Sequence, residues 1–560
     1  MNTEHDERHR PMTRPIFLGW HAPAVTLVAD FLTTQLSERE LARATVVVPT
    51  AESRRALKEC MAERMQRPVL MPRMVQPGNL MELPAGAHDA TETDTRAAWL
   101  KVMSRVAEEV MAEETGPWFD LFPKAPVGNP APWVANMAER LIRLRAQMEQ
   151  ECLTDAYAEL LQGYAPDFAA KRADAWQQFV RRMGARWNAV RRLFRMVDEE
   201  LHRQGLRTAE EVTAEAAHRP CLLRPDSLLV LACVPEISPL NELFIRKAAE
   251  SGQRRLCVLV NAPQEEAPFF DALGRPLVRD AAGQHVSRWL DDAIPLHTDA
   301  EGRPIVSDGK NVILQAADAE DMGAKAVALA VGKTSQEVTI AVCDNGMAPA
   351  VHAAFLRAEG SPWCLNLPAG RSASATQEGA LATLLATALQ VPHRLPLYNE
   401  RTGHVENNEP SLLEPLRALL GNEVLQRCFT HALAAAGEEA NLNGFDAALD
   451  EVFRTAYPSH MQDLVRCFSP RAPEASEPPA LRYVRFVCRL VQAGSGTPEE
   501  MATALRDLSR LLGAALRDSG GSLLAEPLRR LAGFLSLRGG EYAPSVLHLL
   551  LRRTLEGMLK

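Results

Sequence analysis

Val338-Thr-Ile-Ala-Val-Cys343 is a six-residue apolar run rich in β-branched side chains, and Asp344-Asn-Gly346 breaks it. Such a run suits a buried strand. Ala348 to Glu359 then sets Val351, Ala354, Phe355 and Ala358 at helical spacing, and Gly360 stops the helix. Pro362-Trp-Cys-Leu-Asn-Leu367 reads as a second short strand. Pro368 to Thr376 reads as a loop ending in a Thr N-cap, and Gln377 to Leu389 as a second helix. Strand, helix, strand, helix at this spacing predicts a parallel βαβα unit, which needs cover on both faces.

The first half of the chain repeats the pattern. Strands are expected at Pro15 to Gly19, Ala44 to Thr50, Asp226 to Cys233 and Arg255 to Val260. Helices are expected at Val25 to Leu36, Ala51 to Met65 and Leu240 to Ser251. Residues 90–215 read as helix throughout, and Trp99, Trp118, Trp133, Trp176 and Trp187 fall mostly at core spacing. From Lys171 to Arg207 there are ten Lys/Arg against four Asp/Glu, a basic face that a solvated helix explains nearly as well as a nucleic-acid backbone does. After polar linkers at Arg401 to Pro410, Pro470 to Pro479 and Ala493 to Thr497, the rest reads as helix. The pattern predicts an α/β chain of two lobes with parallel sheets. Each lobe carries a large helical insertion, and helix exceeds strand.

A chain of 560 residues should hold roughly three to five domains. Its formal net charge of -9 argues against a chain coated in nucleic acid, while leaving room for a local basic groove. The opening MNTEHDERHR is polar, so no signal peptide is expected. No run of ~18 apolar residues offers a membrane span, so a cytoplasmic location is expected. The ten cysteines form no CxxC pair and read as reduced and buried, and no metal site is expected.

Gly19-Trp-His-Ala-Pro-Ala-Val25 lies where a phosphate loop would follow the first strand. That loop needs small residues whose N–H groups surround phosphate, and a Lys followed by Ser or Thr. Gly19 is followed instead by Trp20, His21 and Pro23, with no Lys, so the nucleotide site reads as lost. Gly332-Lys-Thr334 is a decoy: Val327 stands where the pattern needs Gly, and the elements come in the wrong order. Asp226, Glu236 and Ser238 outline a PD-(D/E)xK nuclease, but Ser238 replaces the Lys that would stabilise charge. Glu236 reads as a helix cap. No catalytic residue is assigned.

The order of these pieces, above all "VTIAVCDNGMAPAVHAAFLRAEGSPWCLNLPAGRSASATQEGALATLLATAL", resembles the second motor domain of UvrD-like, superfamily 1 helicases. The resemblance is nearest to the AddB and RexB type subunits of bacterial helicase–nucleases. It extends to "VVVPTAESRRALKECMAERM", which resembles a strand-Thr-helix motif lying against single-stranded DNA, and to "LLVLACVPEISPLNELFIRKA", where the family's helicase motifs are degenerate. It implies two RecA-like, P-loop-NTPase-type lobes. The divisions are a disordered arm at 1–13, a first lobe at 14–88 and 216–310 with a helical insertion at 89–215, and a second lobe at 311–396 with an insertion at 397–560. It also implies an ATPase-dead DNA-binding scaffold in double-strand-break repair and homologous recombination, partnered by an AddA-like helicase–nuclease subunit. No cofactor is implied in this portion. Relatives carry an Arg where Cys343 and Asp344 stand, so a second means of holding phosphate is missing. Single-stranded or double-stranded DNA would meet Thr50, Arg54 and Arg55 on the first lobe, and Arg371 and Ser372 on the second. Relatives continue into a carboxy-terminal nuclease domain, so a longer natural chain is expected. Two other readings are a divergent active helicase and a protein–protein adaptor that never touches nucleic acid.

Overall fold

A computed structural model describes residues 14–67, 70–80, 86, 88–112, 116–124, 126, 128–153, 166–218, 228–250, 255–277, 297–298, 304–305, 316–331, 340, 342, 347–358, 376–389, 397–399, 404–406, 413–438, 441–456, 458, 461–470, 477–494, 496–517 and 521–557.

The apolar runs of the first half form one five-stranded sheet. Its strands are β1 (Ile16–Phe17), β2 (Thr45–Val47), β3 (Arg73–Val75), β4 (Leu228–Ala232) and β5 (Arg255–Val260). They lie in the order β1-β5-β4-β2-β3, and every pairing is parallel. Three helices accompany the first strands: α1 (Ala24–Gln35), α2 (Glu38–Arg43) and α3 (Ala51–Met65). Alternate side chains of each strand enter different cores. Val46, Val48 and Val230 meet Leu32 of α1 and Leu57 and Met61 of α3. Val47, Leu229, Leu231 and Val258 meet Phe244 and Ile245 of the helix Pro239–Glu250 on the opposite face. Each such side chain contributes about 1.5–3 kcal/mol on burial.

This arrangement follows from chain direction. The step from β2 to β3 runs one way across the sheet, and the step from β4 to β5 runs the other. Right-handed crossovers therefore put α3 and the helix Pro239–Glu250 on opposite faces.

Between β3 and β4 the chain leaves the sheet for the helices Glu92–Ala112, Ala131–Gln150, Pro166–Met183, Ala185–Arg203 and Ala209–His218. The apolar faces of the first four share one core with helices of the far carboxyl half, including Gln377–Ala388, Pro479–Ala493, Pro498–Ala515 and Pro544–Gly557. Trp99, Trp118 and Trp187 are buried in that core, and Trp133 and Trp176 pack against it, as their spacing predicts. Polar links cross between the two halves. Arg538 pairs with Asp94 at 3.2 Å, and Gln204 Nε2 donates to the Tyr542 hydroxyl at 2.6 Å. No helix among the described residues is long and apolar enough to cross a membrane.

The α/β, helix-rich expectation holds for the first sheet. The strands expected at Val338 to Cys343 and Pro362 to Leu367 lie outside the described residues. The helices of that unit are present as Ala348–Arg357 and Gln377–Ala388. Two short antiparallel hairpins, His297–Thr298 with Pro304–Ile305 and Leu397–Asn399 with His404–Glu406, were not expected. The second falls partly within the stretch read as a polar linker.

Candidate nucleic-acid interface at the carboxyl ends of the sheet

In an open parallel sheet, ligands bind beyond the carboxyl ends of the strands, where successive connections leave for opposite faces. This sheet has two such points. At one, β1 leads to α1 while β5 leads to Phe270 and Leu273 on the other face. At the second, β2 leads to α3 while β4 leads to the helix Pro239–Glu250.

The first point is stitched together. Leu18 N donates to Val260 O and Gly19 N to Ala262 O, both at 2.9 Å. The Trp20 indole Nε1 donates to Asn261 O at 2.7 Å. Gly19 has φ +84°, a left-handed conformation that costs glycine little, and an added Cβ would sit 3.0 Å from His21 Nδ1. A phosphate loop turns its N–H groups toward a ligand, whereas here the Gly19 N–H is spent on the neighbouring loop. Helix α1 follows Pro23, which gives it no side-chain cap. Beside this seam, Cys233 holds φ +52° and donates its N–H to Leu259 O at 3.0 Å. Burial pushes its thiol up to about 12, against a backbone hydrogen bond from Asn261. Cys343 and Asp344, the other expected part of a degenerate nucleotide site, lie outside the described residues.

At the second point Thr50 caps α3. Its Oγ1 accepts from Ser53 N and lies beside Ser53 Oγ, each at 3.1 Å. Glu52 competes for the same helix terminus. Its own backbone N–H and the Thr50 hydroxyl hold its carboxyl below the usual range. A carboxylate thus stands where a phosphate would approach the helix N-terminus. Arg54 is half-buried and Arg55 exposed, and neither forms an ion pair among the described residues. Adjacent helical residues point about 100° apart, so one of the two can face a strand squarely. Arg371 and Ser372 lie outside the described residues, so only Thr50, Arg54 and Arg55 are brought together.

A cleft of about 630 Å³ opens beside this point, lined among others by Gly78, Glu151, Glu236, Ser238, Asp271 and Arg275. The cation in that lining is engaged. Arg275 bonds Asp271 Oδ2 and Glu242 Oε2, each at 2.7 Å. The lining carries three carboxylates, Glu151, Glu236 and Asp271, to one guanidinium. Glu236 does not cap the helix that follows. Ser238 does, because it stands three residues before Asn241, whose N–H reaches Ser238 Oγ at 3.4 Å. Ser238 Oγ in turn donates to Gln150 Oε1 at 2.8 Å, tying the sheet to the helix Ala131–Gln150.

Sequence reasoning missed Glu52, although an acid in the first turn beside a Thr cap is a readable signal. It also missed the buried cluster around Arg145. There Asp198 (2.7 Å), Glu210 (2.9 Å) and Glu149 (3.3 Å) surround one guanidinium. No protein-family model matches the chain, and no curated protein does.

Proposed function

We propose that this chain is an ATPase-dead, helicase-like subunit that serves as a DNA-binding scaffold in an AddAB-type helicase–nuclease. An AddA-like partner supplies the motor, and the assembly acts in double-strand-break repair and recombination. The observation that carries the reading is the seam at the end of β1. Gly19 N–H and the Trp20 indole bond the loop after β5, in the position where an active relative would hold phosphate. What remains for nucleic acid is the N-terminus of α3 with Arg54 and Arg55, a surface that reads backbone charge and not sequence.

The adaptor reading keeps one specific support, the carboxylates at this end of the sheet: Glu52 on the Thr50 cap, and Glu151, Glu236 and Asp271 in the cleft. Fluorescence anisotropy with a labelled poly(dT) oligonucleotide over a salt series separates the two. The scaffold reading expects binding that weakens linearly in log salt, and no heat from magnesium-ATP in calorimetry. No binding at low salt would leave the adaptor, and stoichiometric ATP binding would leave an active helicase.

A further inference from the structure

In the carboxyl half, the helices Met461–Phe468 and Pro479–Ala493 enclose a groove of about 920 Å³. Phe429, Leu433, Val465 and Phe486 are its main apolar lining residues. Its walls carry Arg466 from one helix and Arg482, Arg485 and Arg489 from the other. The last three recur at helical spacing and form a row about 10 Å long. Arg485 pairs with Glu477 at 2.5 Å, Arg482 with Glu438, and Arg466 with Asp463 at 3.7 Å. Arg489 is exposed, donates Nε to Arg485 O at 3.4 Å, and has no ion pair among the described residues. The Arg482 Nε is buried with no acceptor among the described residues. Exposed ion pairs of this kind are worth little, so these guanidiniums can exchange their carboxylates for those of a ligand at small cost.

We propose that this groove docks an acidic amphipathic helix of a partner protein. Its apolar stripe would lie on Val465 and Phe486, and its acids against Arg485 and Arg489. Apolar side chains beside four arginines, against one lining carboxylate, Glu477, are the complement of such a helix. Single-stranded nucleic acid fits less well, because it needs open aromatic faces for its bases. Phe429 is only 8% exposed, and its ring lies 5.6 Å from that of Phe486, so the two rings occupy one another.

The test uses the full chain and a fluorescein-labelled synthetic helix of ~18 residues, long enough to hold helical structure. Leu is placed along one face and Glu and Ala elsewhere, and a permuted peptide of identical composition is the control. Anisotropy should show the helix binding at least ~10-fold more tightly than the permuted peptide. R485E with R489E should weaken binding ~10-fold or more, since like charges would then face each other. Both arginines are exposed and the Arg485–Glu477 pair is worth little, so the double variant should shift the thermal unfolding curve only slightly. V465D, which puts a charge among the apolar lining residues, should weaken binding as well. Equal binding of the permuted peptide, indifference to the arginine pair, or no binding would overturn the proposal. So would stronger displacement by poly(dT) than by unlabelled peptide, which would assign the groove to nucleic acid.

Discussion

The Trp20 indole Nε1 donates to the Asn261 carbonyl oxygen across 2.7 Å, joining loops that are 241 residues apart in the chain. The bond lies at the sheet edge where β1 pairs with β5, next to the Gly19 N–H bond to Ala262 O. Trp20→Phe removes the indole donor and keeps an aromatic ring. The expected cost is about 0.5–1.5 kcal/mol, read by urea unfolding. Opening this seam should not create nucleotide binding, because no Lys follows to reach phosphate. Calorimetry of Trp20→Gly with magnesium-ATP should therefore show no heat, and a measurable affinity would contradict the proposed lack of ATP binding.

The Glu52 carboxylate at the N-terminus of α3 yields a prediction of the opposite sign. Glu52→Gln removes a charge from the position that a phosphate would take, so it should raise affinity for poly(dT) several-fold at low salt. Changing Arg54 and Arg55 together to Ala should weaken binding of all sequences alike. It should also flatten the slope of log affinity against log salt by up to ~0.7 for each phosphate that is no longer neutralised. Glu52 is held below its ordinary value of 4.5, so its stabilising contribution is present above that pH and fades as pH falls through the lowered value. DNA binding governed by this group should accordingly strengthen only on the acid side of that range. An affinity unchanged in Glu52→Gln would remove the α3 terminus from the interface.

Much of the five-stranded sheet was legible because its longer strands are continuous apolar runs, which suit a sheet covered on both faces. Arg255–Val260 and Ala51–Met65 match their expected limits residue for residue. The strand order was not legible, since it depends on which runs meet across the chain. The same holds for the pairs Trp20 with Asn261 and Ser238 with Gln150, which no local pattern announces. The hairpin Leu397–Asn399 with His404–Glu406 escaped because strands of three residues show no alternation. The helix Met461–Phe468 carried a readable signal, with Met461, Leu464, Val465 and Phe468 at helical spacing. For the candidate interface, the Thr50 cap, the acid Glu52 in the first turn and the basic start of α3 were readable, but the hydrogen bond from Glu52 N–H to its own carboxyl needed geometry.

Arg145 is buried among three carboxylates, so its cluster carries more negative than positive charge. Burial, with Glu210 and Asp198 adding repulsion and Arg145 opposing, pushes Glu149 up to about 7. A carboxyl with a folded value above its unfolded 4.5 favours the folded state at low pH, and that contribution is lost as pH rises from about 4.5 through about 7. Glu149→Gln should remove this loss, making the variant more stable than wild type at pH 8 by roughly 1–3 kcal/mol. Arg145→Met should do the reverse, leaving the buried Glu210 and the half-buried Glu149 and Asp198 without a cation, at a cost of up to about 3–5 kcal/mol. Urea unfolding at pH 5 and pH 8 checks both. Equal midpoints for wild type and Glu149→Gln at pH 8 would mean that the cluster takes up no proton.

Two glycines should respond to alanine with opposite signs. Gly323 lies in the helix Ala319–Val331 and faces the helix Ala348–Arg357. An added Cβ there would come within 2.7 Å of Ala350 O and 2.8 Å of its carbonyl carbon. These are backbone atoms and cannot rotate aside, so the helices must separate. Gly323→Ala should then cost about 1–3 kcal/mol, as overpacking does, and protease cleavage between the two helices should quicken. Gly533 lies inside the helix Ala525–Arg538, and a Cβ there would meet nothing within 4 Å. Gly533→Ala should therefore stabilise the chain by about 0.5–1 kcal/mol, through lower entropy of the unfolded state. Thermal unfolding of the two variants side by side tests the contrast. If both shift the same way, the close approach at Gly323 does not hold the helix pair together.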